Sequence, residues 1–227
     1  MNTLKLQYFF DPLCGWCYAA APALAGLAEA YPHALELMPS GLFAGEGARD
    51  LTPEWGDYAW RNDQRIEQLT GQRFTAAYRS ALLQRDGVRF DSGPATLALT
   101  AIRALDAALE RPLLQALQVS RYVEGLDTAR PEVLGRIAAR VAAEAGRTVD
   151  ADEVAGRIAH DPALAAATDA RVVDTRRRMQ QLGTSGVPQL LLTFDDRGYV
   201  LQGANLYSGP QTLIAAVEQA LHRAGAD

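Results

Sequence analysis

Cysteine is almost missing from this chain: two residues in 227, Cys14 and Cys17. So few thiols exclude a small disulfide-stapled scaffold. Zinc takes about four ligands, and His33, His160 and His222 stand at no ligand spacing, so no metal site is expected. Haem attachment wants a histidine directly after the second cysteine, and position 18 is tyrosine. No apolar run approaches the roughly 20 residues that span a bilayer, so no membrane segment is expected. Positive charge is not in surplus either. Lysine occurs once, at Lys5, and 22 basic against 27 acidic residues leave a net charge of −5, which argues against nucleic acid as a partner. Nor does the N-terminus combine basic residues, an apolar core and a small-residue cleavage site, so a cytoplasmic location is expected. In that compartment a disulfide is usually catalytic or redox-sensing rather than structural.

What the chain does have is a core-forming composition, 48% hydrophobic, and a thiol pair in a telling place. The apolar run Leu4-Lys5-Leu6-Gln7-Tyr8-Phe9-Phe10 reads as a strand with Leu4, Leu6, Tyr8 and Phe10 on one face. Cys14-Gly15-Trp16-Cys17 follows, and then a helical run to about Ala30. Thiols at a strand-to-helix junction meet the unpaired N–H groups and positive end of the helix, which favour a thiolate. Their spacing lets a short loop close as a disulfide and reopen.

Further along, Pro22 should kink the first helix, because it lacks a backbone donor and crowds the preceding turn. Ala34 to Met38 reads as a second strand, parallel to the first. Residues 45–183 then read as successive helices, opened at Thr52-Pro53, Ser92-Gly93-Pro94, Arg111-Pro112, Arg130-Pro131 and Asp161-Pro162, with Gly183 as a C-cap. Strand character returns over Gln189 to Phe194 and Tyr199 to Gln202, joined tightly enough to demand an antiparallel hairpin. Ser208-Gly209-Pro210-Gln211 reads as a capping box for a last helix to about Arg223. The three consecutive arginines 176–178 share a helix with Asp169 and Asp174 and are expected to form a solvated, ion-paired face.

Strand, C-x-x-C, kinked helix, second strand, helical block and closing β-β-α resemble the thioredoxin fold. With the helices inserted after the second strand, the chain resembles the DsbA family. Pro22 stands eight residues after Cys14, where thioredoxins carry the kinking proline. Gly186-Val187-Pro188 ahead of Leu190-Leu191-Leu192 matches the family's cis-proline segment. The run Phe10 to Tyr18 is most similar to the cytosolic FrnE-like predicted disulfide isomerases. The resemblance implies an α/β thioredoxin-like domain made of residues 1–44 and 184–227, interrupted by a helical insertion domain over 45–183.

It also implies a thiol–disulfide oxidoreductase, of reductase or isomerase type, with Cys14 as exposed attacking thiol and Cys17 as resolving thiol. Gly15, Trp16, Val187 and Pro188 form the surrounding loop and substrate contact. Protein or peptide thiols and disulfides are the implied substrates. No tightly bound cofactor is implied, and glutathione or the thioredoxin system are the candidate redox partners. Two departures stand out. Tyr8 occupies the site where thioredoxin buries a carboxylate, leaving Asp11 as the nearest acid, in a turn or cap position. Trp16 replaces the histidine of strongly oxidising relatives and brings no positive charge. The couple is therefore expected in the lower or middle part of the span from ~−270 mV for thioredoxin to ~−120 mV for DsbA. A second reading comes from glutathione-dependent enzymes of the same fold, the 2-hydroxychromene-2-carboxylate isomerases and kappa-class transferases. They typically carry serine at the first cysteine position, so the intact pair counts against them.

Overall fold

The computed structural model describes residues 4–225. Two compact units divide the chain: Met1–Ser40 with Thr175–Asp227, and Gly41–Asp174.

The first unit is built on a four-stranded sheet in the order β2-β1-β5-β6. Strand β1 spans Leu4–Phe10, β2 Leu35–Pro39, β5 Gln189–Phe194 and β6 Arg197–Gln202. β1 pairs in parallel with β2 and antiparallel with β5, which in turn pairs antiparallel with β6. β1 and β5 are the central strands and carry much of the core: Leu6, Tyr8, Phe9, Phe10, Leu190 and Leu192 are wholly buried. The β5–β6 turn is shorter than the sequence suggests. Phe194 pairs with Arg197, so only Asp195 and Asp196 form it, and Asp195 takes the left-handed φ of 51° that such tight hairpins require.

The first helix is not kinked but broken. α1 covers Gly15–Ala19 and α2 covers Ala21–Ala30, with Pro22 in the opening turn of α2, where its missing donor costs nothing. The closing helix α11, Pro210–Ala224, packs on α2. Their approach is close: a Cβ on Gly26 would sit 2.5 Å from Cβ of Pro210. The expected capping box is absent. Gly209 caps α11 at φ 95°, and Ser208 instead lends its carbonyl to the Thr212 hydroxyl.

The second unit is helical apart from a two-residue ribbon of β3, Arg49–Asp50, and β4, Arg89–Phe90. Helix α3 spans Pro53–Thr70, α5 Gly93–Leu105, α6 Glu110–Tyr122 and α7 Pro131–Glu144. The long helix α9, Pro162–Gln181, runs across the division. Thr52 and Asp161 cap as their sequence predicts, accepting the amides of Trp55 and of Ala163 and Leu164. Two α-helices of this unit carry no proline signal: α8, Ala151–His160, capped by Asp150, and the short α4, Ala76–Tyr78, which runs on as a π-helical turn over Arg79–Leu83. Pro112 lies inside α6 rather than at its start, still within the first turn.

Candidate active site

The site is assembled from the end of β1. Asp11, fully buried, makes the turn: its Oδ1 accepts the Leu13 amide at 2.9 Å and its carbonyl accepts the Cys14 amide at 3.1 Å. This is the turn role that its position suggests. Cys14 thereby becomes the N-cap of α1 in extended geometry, φ −85° and ψ 115°, and its carbonyl accepts the amides of Cys17 (2.9 Å) and Tyr18 (3.0 Å). Gly15 opens the helix. Both cysteines are free thiols, approaching to 3.3 Å. A disulfide needs sulfurs at about 2.05 Å, so only a small closure separates the two redox states.

The thiols are not equivalent. Cys17 keeps 1% of its surface and Cys14 7%. Cys14 is thus buried rather than exposed as its helix-tip position suggests, though less completely than Cys17. Burial pushes the Cys17 thiol well up, and the hydrogen bond and charge of Cys14 push it further. The Asp11 backbone amide pulls the other way without prevailing. Beneath the pair, Tyr8 is sealed, and burial, then the charges of Cys17 and Cys14, lift its phenol well above the ordinary range. Its hydroxyl therefore stays protonated and donates to the Cys17 carbonyl at 3.3 Å.

Strand pairing brings the second motif to the first. Phe9 lies opposite Gln189, so the Gly186-Val187-Pro188 segment ends beside the start of the cysteine turn. The Cys14 thiol donates to the Val187 carbonyl at 3.8 Å. The Val187–Pro188 bond is cis, and the Gln189 side-chain amide donates to the Gly186 carbonyl at 2.8 Å, tying the loop down. Val187 itself packs on a buried cluster of Phe9, Met38, Met179 and Leu191. Residues almost a whole chain apart in sequence therefore share one site.

Trp16 finds a partner that the sequence pattern does not announce. Its ring lies against Tyr207, centroids 4.9 Å apart and planes tilted 44°. Tyr207 closes α10, the single turn Ala204–Tyr207 after β6, and nothing in the sequence ties that turn to the cysteine loop. The arginine run is also not a merely solvated face, since Arg176 donates to the Ser40 carbonyl at 2.8 Å. Among the described residues no group of three or more His, Cys, Asp or Glu side chains could hold a metal, and no helix is long and apolar enough to cross a membrane.

No protein-family model matches the sequence, and no curated protein does. Solved structures do. The cytosolic disulfide reductase DsbM from Pseudomonas aeruginosa is 33% identical, covers 96% of this chain and 98% of its own, and superposes with a TM-score of 0.80. The chain belongs to the DsbA family of thiol–disulfide oxidoreductases. The same DsbM determined with GSH gives 32% identity over 96% and 99% of the two chains, with a TM-score of 0.78. A candidate protein disulfide isomerase from Nitrosomonas europaea, at 22% identity, 96% and 98% coverage and a TM-score of 0.71, shares the fold. This DsbA-family chain is a thiol–disulfide oxidoreductase with a thioredoxin fold and a helical insertion. These likenesses do not favour the glutathione-dependent isomerase or transferase reading.

Proposed function

We propose that this DsbA-family protein reduces or isomerises protein disulfides through Cys14 and Cys17 in the cytoplasm, with glutathione as its redox partner. The carrying observation is the inequality of the two thiols: Cys14 is the less deeply buried and lies beside the Val187 carbonyl, while Cys17 is sealed and held protonated by burial. The Cys14 thiolate attacks a substrate disulfide, one substrate sulfur leaves as a thiolate, and a mixed disulfide forms. Cys17 gives up its proton and attacks the Cys14 sulfur, releasing the second substrate thiol and leaving a 14–17 disulfide. The substrate has gained two electrons and the protein has lost two. Two molecules of glutathione, ending as glutathione disulfide, return them. Gly15 and Trp16 shape the loop, while Val187 and Pro188 offer the backbone edge along which an extended substrate lies. The helical block over residues 45–183 acts as an insertion between the halves of the thioredoxin-like domain, 1–44 and 184–227.

The named activity and compartment of DsbM support the direction and the location, and its structure with GSH supports glutathione. Insulin reduction with glutathione as electron source tests the proposal, together with the potential of the couple measured against glutathione. Turnover is expected, with a potential in the lower or middle part of the interval from ~−270 to ~−120 mV. No turnover, or a potential near the upper limit, would overturn it.

A further inference from the structure

Three uncharged segments border the cysteine pair. Pro12 to Ala28, Gln180 to Phe194 and Gly198 to Val217 carry no Asp, Glu, Lys or Arg, in a chain where 22% of residues are charged. The first holds the cysteines and Trp16, the second holds Val187 and Pro188, and the third holds Tyr207. Asp11, the nearest acid before the first segment, is fully buried. These segments therefore offer a substrate no ionic clamp, only backbone groups and apolar surface.

Trp16 is the large side chain in the loop between the thiols, half-buried at the first turn of α1. A lone indole on a short loop can swing about two side-chain bonds, and ordering it on each binding event would cost affinity. Here the ring is already docked on Tyr207. The turn bearing Tyr207 is itself fixed. Leu206 is fully buried, its amide donates to the Gly203 carbonyl at 2.9 Å, and the Ser208 amide donates to the Ala204 carbonyl at 3.0 Å. α10 packs on α1, α2, β6 and α11, and three residues beyond Tyr207 the ring of Pro210 seats against Gly26 of α2.

We propose that Tyr207 is a positioning residue: it holds the Trp16 ring as a ready-made apolar wall beside Cys14, and that wall selects disulfides flanked by apolar or aromatic residues. Glutathione disulfide, with four carboxylates and two ammonium groups, gains little from the wall. This inference rests on the exchange reaction proposed above.

The test uses cystine peptides with either Phe or Asp beside the scissile cysteine, and glutathione disulfide as reference, on the full-length reduced protein. Wild type is expected to favour the Phe peptide by about tenfold in kcat/KM, the scale of one well-packed aromatic contact. Tyr207→Ala should abolish most of that preference through KM, with kcat and the glutathione disulfide rate within about twofold of wild type. Tyr207→Phe keeps the ring and should keep the preference, which a folding defect would not mimic. Because Tyr207 acts through Trp16, the double variant Trp16→Ala/Tyr207→Ala should lose no more than Trp16→Ala alone. Equal use of both peptides by wild type, or an undiminished preference in Tyr207→Ala, overturns the inference while leaving the exchange reaction standing. Failure of wild type on every disulfide overturns both.

Discussion

At the scale of single residues, chemistry is divided by burial. Cys14 and Cys17 are three positions apart, and both are buried, but that short stretch of backbone seals Cys17 more completely than Cys14. The cause is the Asp11 turn, which delivers Cys14 as N-cap and sends the chain inward from there. A thiol whose folded pKa is raised exists mostly as thiol at neutral pH, so its thiolate fraction grows about tenfold per pH unit until that pKa is passed. Resolution of a preformed mixed disulfide by Cys17 should therefore accelerate steadily from about pH 6 to beyond ~8.5, the ordinary cysteine value. Stopped-flow release of a fluorescent substrate thiol reads this directly; a plateau below about pH 7 would contradict the burial argument. Both cysteines were legible in the sequence because a C-x-x-C pair at a strand-to-helix junction, in a chain with no other thiol, suits redox exchange and neither zinc nor haem. Tyr207 was not, since ring contacts between residues so distant along the chain follow no local pattern.

At the scale of elements, the unit holding the cysteines depends on α2 and α11 approaching with no side chain at position 26, where the Pro210 ring seats. Alanine at position 26 would gain about 1 kcal/mol in helix propensity over glycine. Against that, its Cβ would meet a rigid proline ring at 2.5 Å, and overpacking costs ~1–3 kcal/mol. Gly26→Ala is thus expected to destabilise by about 1 kcal/mol, lowering Tm by roughly 2–4 °C for a chain of this size. A rise in Tm would mean that the helices shift apart freely. The four strands of the β2-β1-β5-β6 sheet were readable from period-two and apolar runs, and most long helices from a proline in the first turn, whereas the two-residue β3–β4 ribbon lay in a region read as helical. α8 escaped because its signal is Asp150 alone, and the break at Ala20 because a proline in a first turn and one mid-helix look alike in sequence.

At the scale of the whole molecule, the helical unit carries a buried charge cluster that the exchange reaction does not use. Asp63 is nearly sealed, the Tyr78 hydroxyl donates to its Oδ2 at 2.9 Å, and the fully buried Arg121 guanidinium lies 5.8 Å from the Tyr78 ring and 5.1 Å from that of Phe90. Burial lifts Asp63 to about 7, against the opposing pull of Tyr78 and Arg121. In the unfolded chain its value is ~3.9. The folded state therefore holds the proton more tightly, so the stability from this group is complete below about pH 4 and is lost as pH rises towards 7. Asp63→Asn should flatten that slope, which is worth on the order of a few kcal/mol across the window. Urea unfolding at about pH 5 and about pH 8, on either side of most of that loss, checks it; equal pH dependence in both proteins would contradict the assignment. The cluster was invisible in the sequence because Asp63, Tyr78 and Arg121 lie on three separate helices.

The most direct measurement concerns the order of attack. Cys17→Ala and Cys14→Ala are each incubated with a disulfide-containing protein substrate, and the adducts are mapped by mass spectrometry with and without reducing agent. Cys17→Ala should accumulate a mixed disulfide through Cys14 that reductant releases, and Cys14→Ala should accumulate little. Comparable adducts through Cys17, or none in either variant, would contradict the division of labour between a less deeply buried and a sealed thiol.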